Sequence, residues 1–141
     1  MLFNTTHKNK DYIAESNILV GKSFSLFERI KNGGIGSSRM VVAEFSEKLQ
    51  PKNKSSIDIN YMNIELRPKG IIVHFTNKLD RYSWLIPYFR LVVYNAQNFS
   101  IHANGNYIKC KKNKNYQNNK KFIDNMITIK NNFLNLGYYD M

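Results

Sequence analysis

Few residues in this chain combine the type and spacing that covalent chemistry requires. His7, His74 and His102 fall on separate segments, and none has a second ligand at the close spacing of a metal site. With a single cysteine, Cys110, a zinc site would need distant carboxylates. No Gly-x-Ser-x-Gly elbow accompanies the histidines. Gly21-Lys22-Ser23 ends like a phosphate loop, but Ser16 stands where its first glycine belongs. Gly34-Ile35-Gly36 could open a dinucleotide fingerprint, yet Arg39 holds the position of the third glycine. The chain is therefore expected to have no catalytic residues, no metal site and no cofactor.

Binding chemistry has one candidate. Lys109, Lys111, Lys112, Lys114, Lys120 and Lys121 fall within 13 residues without an acid among them, interleaved with Tyr107 and Tyr116. Lysines with aromatics can follow a phosphate backbone and stack bases. The same composition can sit on anionic headgroups, at about 1 kcal/mol per lysine near the surface. His102, beside Tyr107 on the hairpin described below, reads as a cross-strand polar partner, and it completes the candidate set. The competing reading is compositional. The net charge is +11, but sixteen of the 21 basic residues are lysine and asparagine occurs 20 times. Codons of an AT-rich genome would enrich both, whereas a dedicated phosphate reader more often uses the two-point grip of arginine. On that view the strip is a solvated hairpin tip and loop.

A chain of 141 residues, 43% hydrophobic and 13% aromatic, is one globular domain's worth. One cysteine excludes an internal disulfide and fits a reducing compartment. Met1 to Tyr12 lacks the apolar core of a secretory signal, and no run approaches the roughly 18 apolar residues of a membrane span. A cytoplasmic protein is expected.

The elements that would position the candidate residues come mostly from the second half. Met1 to Ser16 is polar and weakly patterned, and reads as a flexible arm before a single domain over 17–137. Lys22 to Ile30 alternates in part and reads as a strand, Asn32 to Ser38 as a flexible turn, and Arg39 to Phe45 as the returning strand. Leu49 to Ser56 reads as a loop. Arg67-Pro68-Lys69-Gly70 has the residue order of a tight type I turn between strands ending at Leu66 and starting at Ile71. Asn77-Lys78-Leu79-Asp80 turns the chain again, Tyr82, Trp84 and Ile86 alternate, and Pro87 closes that strand. Leu91 to Tyr94 reads as a buried strand segment.

Asn104-Gly105 suits a type I′ hairpin, which pairs Ala103 with Asn106, Ile101 with Ile108 and Phe99 with Cys110. One face of that hairpin is apolar. The other carries Ser100 and His102 against Tyr107 and Lys109. Cys110 on the apolar face reads as a small core residue, and Glu44 and Glu47 as solvated charges. The last element spaces Phe122, Met126, Ile129, Phe133 and Leu136 as an amphipathic helix over about 119–136, widened by Ile123, Ile127 and Leu134. Asn118 or Asn119 could cap it and Gly137 could stop it. Trp84, Phe75, Phe99, Ile101, Ile108, Phe122, Met126 and Phe133 are expected to share one core.

The order Gly70-Ile71-Ile72-Val73-His74-Phe75, Trp84-Leu85-Ile86-Pro87-Tyr88, the Asn104-Gly105 hairpin and Lys121-Phe122-Ile123-Asp124 resembles a bacterial PH-like domain. It is similar also to small uncharacterised bacterial proteins built around the same block. The resemblance covers about half the chain. It implies an α+β fold: a strongly bent antiparallel sheet, half barrel and half sandwich, with one end plugged by a C-terminal helix. Seven strands are needed, so Lys22 to Ile30 and Arg39 to Phe45 would supply the first two. Eukaryotic relatives hold phosphoinositides in the loop between those strands with several Lys and Arg. Here that loop is Gly-rich and flanked only by Lys31 and Arg39. The function implied is a non-catalytic, adaptor-like binding module with a protein or peptide partner. Binding of nucleic acid or an anionic membrane surface through the 109–121 strip is the alternative.

Overall fold

A computed structural model describes residues 1–7, 9–31, 34–49, 59–77 and 80–139. Among these residues eight strands form one open antiparallel sheet: β1 (Leu2–Asn4), β2 (Met40–Phe45), β3 (Tyr61–Arg67), β4 (Gly70–Asn77), β5 (Asp80–Pro87), β6 (Val92–Asn95), β7 (Phe99–Ala103) and β8 (Asn106–Cys110). Their lateral order is β1-β5-β4-β3-β2-β8-β7-β6. Among the described residues four α-helices accompany them, α1 (Lys10–Leu19), α2 (Leu26–Lys31), α3 (Lys114–Asn118) and α4 (Lys120–Tyr139), with short 3-10 turns at Glu47–Leu49 and Tyr88–Arg90.

The turn chemistry set most of the register. Arg67 pairs with Gly70 across a two-residue link, and Pro87 closes β5. Asn77 pairs with Asp80, while Lys78 and Leu79 lie outside the described residues. Asn104 and Gly105 have φ of 52° and 81°, the positive values a type I′ turn demands. All three cross-strand pairs expected from that turn are present.

Strand β2 joins the two halves of the sheet. Met40 and Val41 pair with β3, whereas Val42, Glu44 and Phe45 pair with β8, and the register shifts between Val42 and Glu44. Such an irregularity bends a strand and lets one element serve two sheets. One core then draws Ile64, Leu66, Ile71, Val73 and Trp84 from one half, and Phe99, Ile101, Ile108 and Cys110 from the other. Helix α4 adds Ile123 and Met126 to it. The helix phase differs from the expected one: Ile123 and Met126 are at the centre, and Phe122 and Phe133 are half-buried against the same cluster. The Cys110 thiol is fully buried, and burial pushes its pKa up to about 12, so it is inert at neutral pH.

Several expectations are corrected. The supposed arm at Met1 to Ser16 is structured: β1 pairs with β5, and Asn9 caps α1 by accepting from the Tyr12 amide at 3.1 Å. Phe3, Tyr12 and Leu19 pack there with Val20, the C-cap of α1, over Ile72 and Leu85 on the outer face of β4 and β5. Lys22 to Ile30 is not a strand. Ser25 and Glu28 form a reciprocal capping box, with Ser25 N donating to Glu28 Oε1 and Glu28 N donating to Ser25 Oγ, each at 3.3 Å. That starts α2, and the partial alternation downstream is overridden. Of the two strands expected over Lys22 to Ile30 and Arg39 to Phe45, only the second forms, as β2.

Leu91 to Tyr94 gives a strand, but an edge one. Only Leu91 is buried and Val93 half-buried, with Val92 and Tyr94 pointing outward. The loop expected after the hairpin is partly helical, since α3 occupies Lys114–Asn118. Gly137 does not stop α4, which runs through to Tyr139. Asn119 caps differently from expectation: its buried amide bonds both Ser38 N and Ser38 O, and ties the α3–α4 junction to the segment before β2. The loop expected at Leu49 to Ser56 is described only at Leu49, and the turn at Asn32 to Ser38 only from Gly34 onward.

Candidate functional site

The Asn104-Gly105 turn aligns one line of polar and aromatic side chains on the outer face of β6–β8. Tyr94 on β6 meets His102 on β7 edge-on, ring centres 4.7 Å apart. His102 lies beside Tyr107 of β8 at 5.3 Å with the rings 30° from parallel. Lys109 Nζ stands 5.2 Å from the Tyr107 ring centre, a cation–π contact. The line ends at Glu44 of β2, which accepts from the Tyr107 hydroxyl and lies 3.8 Å from Lys109 Nζ. Lys109 therefore has an acidic partner after all, and Glu44 is not simply solvated.

Charge on this face follows from those contacts. Burial, and then the positive charge of Lys109, lower the His102 pKa below its ordinary value, so the imidazole is neutral at neutral pH. The hydrogen bond to Glu44, more than burial, raises the Tyr107 phenol. Val92 and Tyr94 are 44% and 54% exposed, so the face is open to a partner along its β6 side.

Beyond Cys110 the chain leaves the sheet. Lys111 N still donates to Val41 O at 3.0 Å. Asn113 then caps α3, its Oδ1 accepting from Tyr116 N at 3.3 Å. Tyr116 turns inward, its ring 5.8 Å from Phe99 and its hydroxyl donating to Asn95 Oδ1 at 3.2 Å. It is a core residue and no stacking platform. Its burial orients the turn so that Lys111, Lys112 and Lys114 face outward, and buried Asn119 does the same for Lys120 and Lys121. All five are exposed, and among the described residues none is ion-paired. Lys112 lies 5.6 Å from the Tyr116 ring centre.

Two residues join this surface that sequence reasoning missed. Exposed Arg39 borders α3, its carbonyl accepting from Asn115 Nδ2 at 3.3 Å, with its guanidinium 4.4 Å from the Tyr61 ring centre. Nothing in the sequence signals that contact, which depends on β2 passing beside α3. Tyr94 was legible. Leu91 and Val93 alternate with Val92 and Tyr94, and that period of two puts Tyr94 on the face of His102.

A second polar cluster lies on the opposite half of the sheet. Thr5 and Ser83 share a 2.9 Å hydroxyl contact, Ser83 Oγ is 2.8 Å from His74 Nδ1, and His74 Nε2 is 3.1 Å from Glu65 Oε1. Arg67 donates from Nε to Glu65 and from a terminal nitrogen to Gly21 O at 2.9 Å. The Ser–His–Glu sequence suggests a nucleophile, but Ser83 is 0% exposed beneath the N-terminal segment and no reactant can reach it. The cluster ties the segment after β1 to β5, β4 and β3 and, through Arg67, to Gly21. Burial pushes the Glu65 pKa up, yet hydrogen bonds from His74 and Arg67 and their charge outweigh it, and the net shift is downward. A depressed carboxylate pKa stabilises the fold above its unfolded value of about 4.5, and that contribution is lost as pH falls through the folded pKa. Glu65→Gln should cost about 2 kcal/mol at pH 7 and make urea stability less steep below pH 5. Equal acid sensitivity in parent and variant would contradict this role.

Among the described residues no group of three or more His, Cys, Asp or Glu could hold a metal ion, and no helix is long and apolar enough to cross a membrane. Comparison with protein-family models, with curated proteins and with solved structures finds no match.

Proposed function

We propose that this protein is a non-catalytic binding module of PH-like fold that engages an anionic partner through the basic surface from Lys109 to Lys121. The fold reading draws support from β2 to β8, seven consecutive antiparallel strands bent through β2, with α4 contributing to the shared core. The observation that carries the function is the set of five exposed lysines at the β8–α4 connection with no ion pair among the described residues. Exposed lysines without acidic neighbours hold a positive potential that attracts polyanions and falls with ionic strength.

The test is retention on heparin, a generic polyanion. Parent protein should bind near physiological salt. A variant with Lys111, Lys112, Lys114 and Lys121 changed to glutamine should keep its melting temperature, because all four side chains are exposed, and elute at clearly lower salt. With duplex DNA as ligand, the slope of log affinity against log salt should fall by about 0.9 for each phosphate that the variant no longer neutralises. Parent protein passing straight through the column would refute the proposal.

An adaptor-like reading also has an observation in its favour. Strand β6 is an edge with exposed Val92 and Tyr94 and carries no charged or proline guard, so an extended peptide could add to it.

A further inference from the structure

The lysine strip does not stand alone: it runs directly out of the strand that carries Tyr107 and Lys109. Taking the anionic reading above as its basis, we infer that the partner is a single-stranded nucleic acid, its phosphates tracking Lys111 to Lys121 and its bases meeting the Tyr94–His102–Tyr107 line. Single strands differ from other polyanions in offering flat apolar rings alongside their charge, and proteins that hold them without reading sequence combine a basic track with exposed aromatics. Both parts occur here on adjoining surfaces. Tyr94 is 54% exposed at the open β6 side and is held only at one edge by His102, so its ring has a free area for a base. His102 is neutral at neutral pH, which lets it act as a ring.

Two features define how far along the line a strand can lie. The Tyr107 ring already contacts His102 at 5.3 Å and Lys109 Nζ at 5.2 Å, so it offers a base less free ring than Tyr94 does. Glu44 closes the line with a carboxylate that repels phosphate and occupies Lys109. The strand's path therefore runs from Tyr94 across the hairpin to Lys111 and Lys112, with Glu44 marking the side it avoids. Glu44→Gln should strengthen binding, because it frees Lys109 and removes the repulsion.

The experiment is fluorescence anisotropy with a mixed-sequence single-stranded oligonucleotide of about 12 nucleotides, its duplex, a heparin oligosaccharide and vesicles containing phosphatidylserine. The proteins are the parent, Tyr94→Ala, Glu44→Gln and the four-glutamine variant, each checked for an unchanged melt. Single strands should bind more tightly than duplex. Tyr94→Ala should weaken single-strand binding about tenfold while leaving heparin binding unchanged, and Glu44→Gln should tighten it. Equal binding of single strands, duplex and heparin, with no effect of Tyr94→Ala, would overturn the inference and leave the anionic reading in place. Binding to vesicles alone would assign the charge to a lipid surface and overturn it as well. No binding to any of the four would remove both.

Discussion

Gly70→Ala is expected to cost about 3 kcal/mol or more, a loss out of proportion to one methyl group. A Cβ built at Gly70 would lie 2.3 Å from Ile86 O, 2.8 Å from Pro87 Cα and 2.8 Å from Val20 Cγ1. The first two are backbone atoms of a strand paired to β4 along its whole length, so they cannot retreat without breaking that pairing. Val20, the C-cap of α1, is fully buried and has little room to swing aside. The surrounding hydrogen bonds, from Lys69 N to Val20 O and from Tyr88 N to Lys69 O, each 2.9 Å, hold all three segments in place. Urea melts should show the midpoint fall with little change in slope. A loss below about 1 kcal/mol would mean that β5 and the N-terminal segment are not seated as described.

Met126→Ala should cost about 3 kcal/mol, within the range for emptying a buried methionine site. Met126 is 0% exposed and touches the shared core of both sheet halves, with Ile123 one turn before it. Phe122, the larger residue, is half-buried, so Phe122→Ala should cost less, about 1–2 kcal/mol, because solvent already reaches part of the ring. The order of the two losses is the informative result. If Phe122→Ala proved the more damaging, the helix would be rotated from its described phase and would plug the sheet with its other flank.

Residues 61–110 were largely legible because their turns are short and chemically explicit. Pro68 and Gly70, Pro87, and Asn104-Gly105 each leave few backbone alternatives, and a two-residue link transmits its register to every pair beyond it. The first forty residues were harder to read for a physical reason. Ser25 and Glu28 satisfy two amides at a helix start, and that local gain outweighs a weak alternation that looked like a strand. Asn9 satisfies one amide, that of Tyr12, at the start of α1, whose apolar residues cover only a small patch and so leave a faint period. At the candidate surface, the hairpin face with His102, Tyr107 and Lys109 followed from the turn, as did their cross-strand partners. The inward turn of Tyr116, the Glu44–Lys109 pair and the nearness of Arg39 did not follow, since each depends on β2 lying beside β8 and α3. Contacts between distant segments carry no period along the chain.

The proposed function rests on one surface, and amide chemical-shift mapping tests it most directly. Isotopically labelled protein would be titrated with a mixed-sequence single-stranded oligonucleotide at low salt, and again with a heparin oligosaccharide. Shifts should cluster at amides of residues 107–121 and around Arg39, with the β6 amides near Tyr94 responding to the oligonucleotide alone. Amides of α1 and of the Glu65–His74–Ser83 cluster should stay in place. Shifts concentrated on those elements, or none with either ligand, would contradict the account.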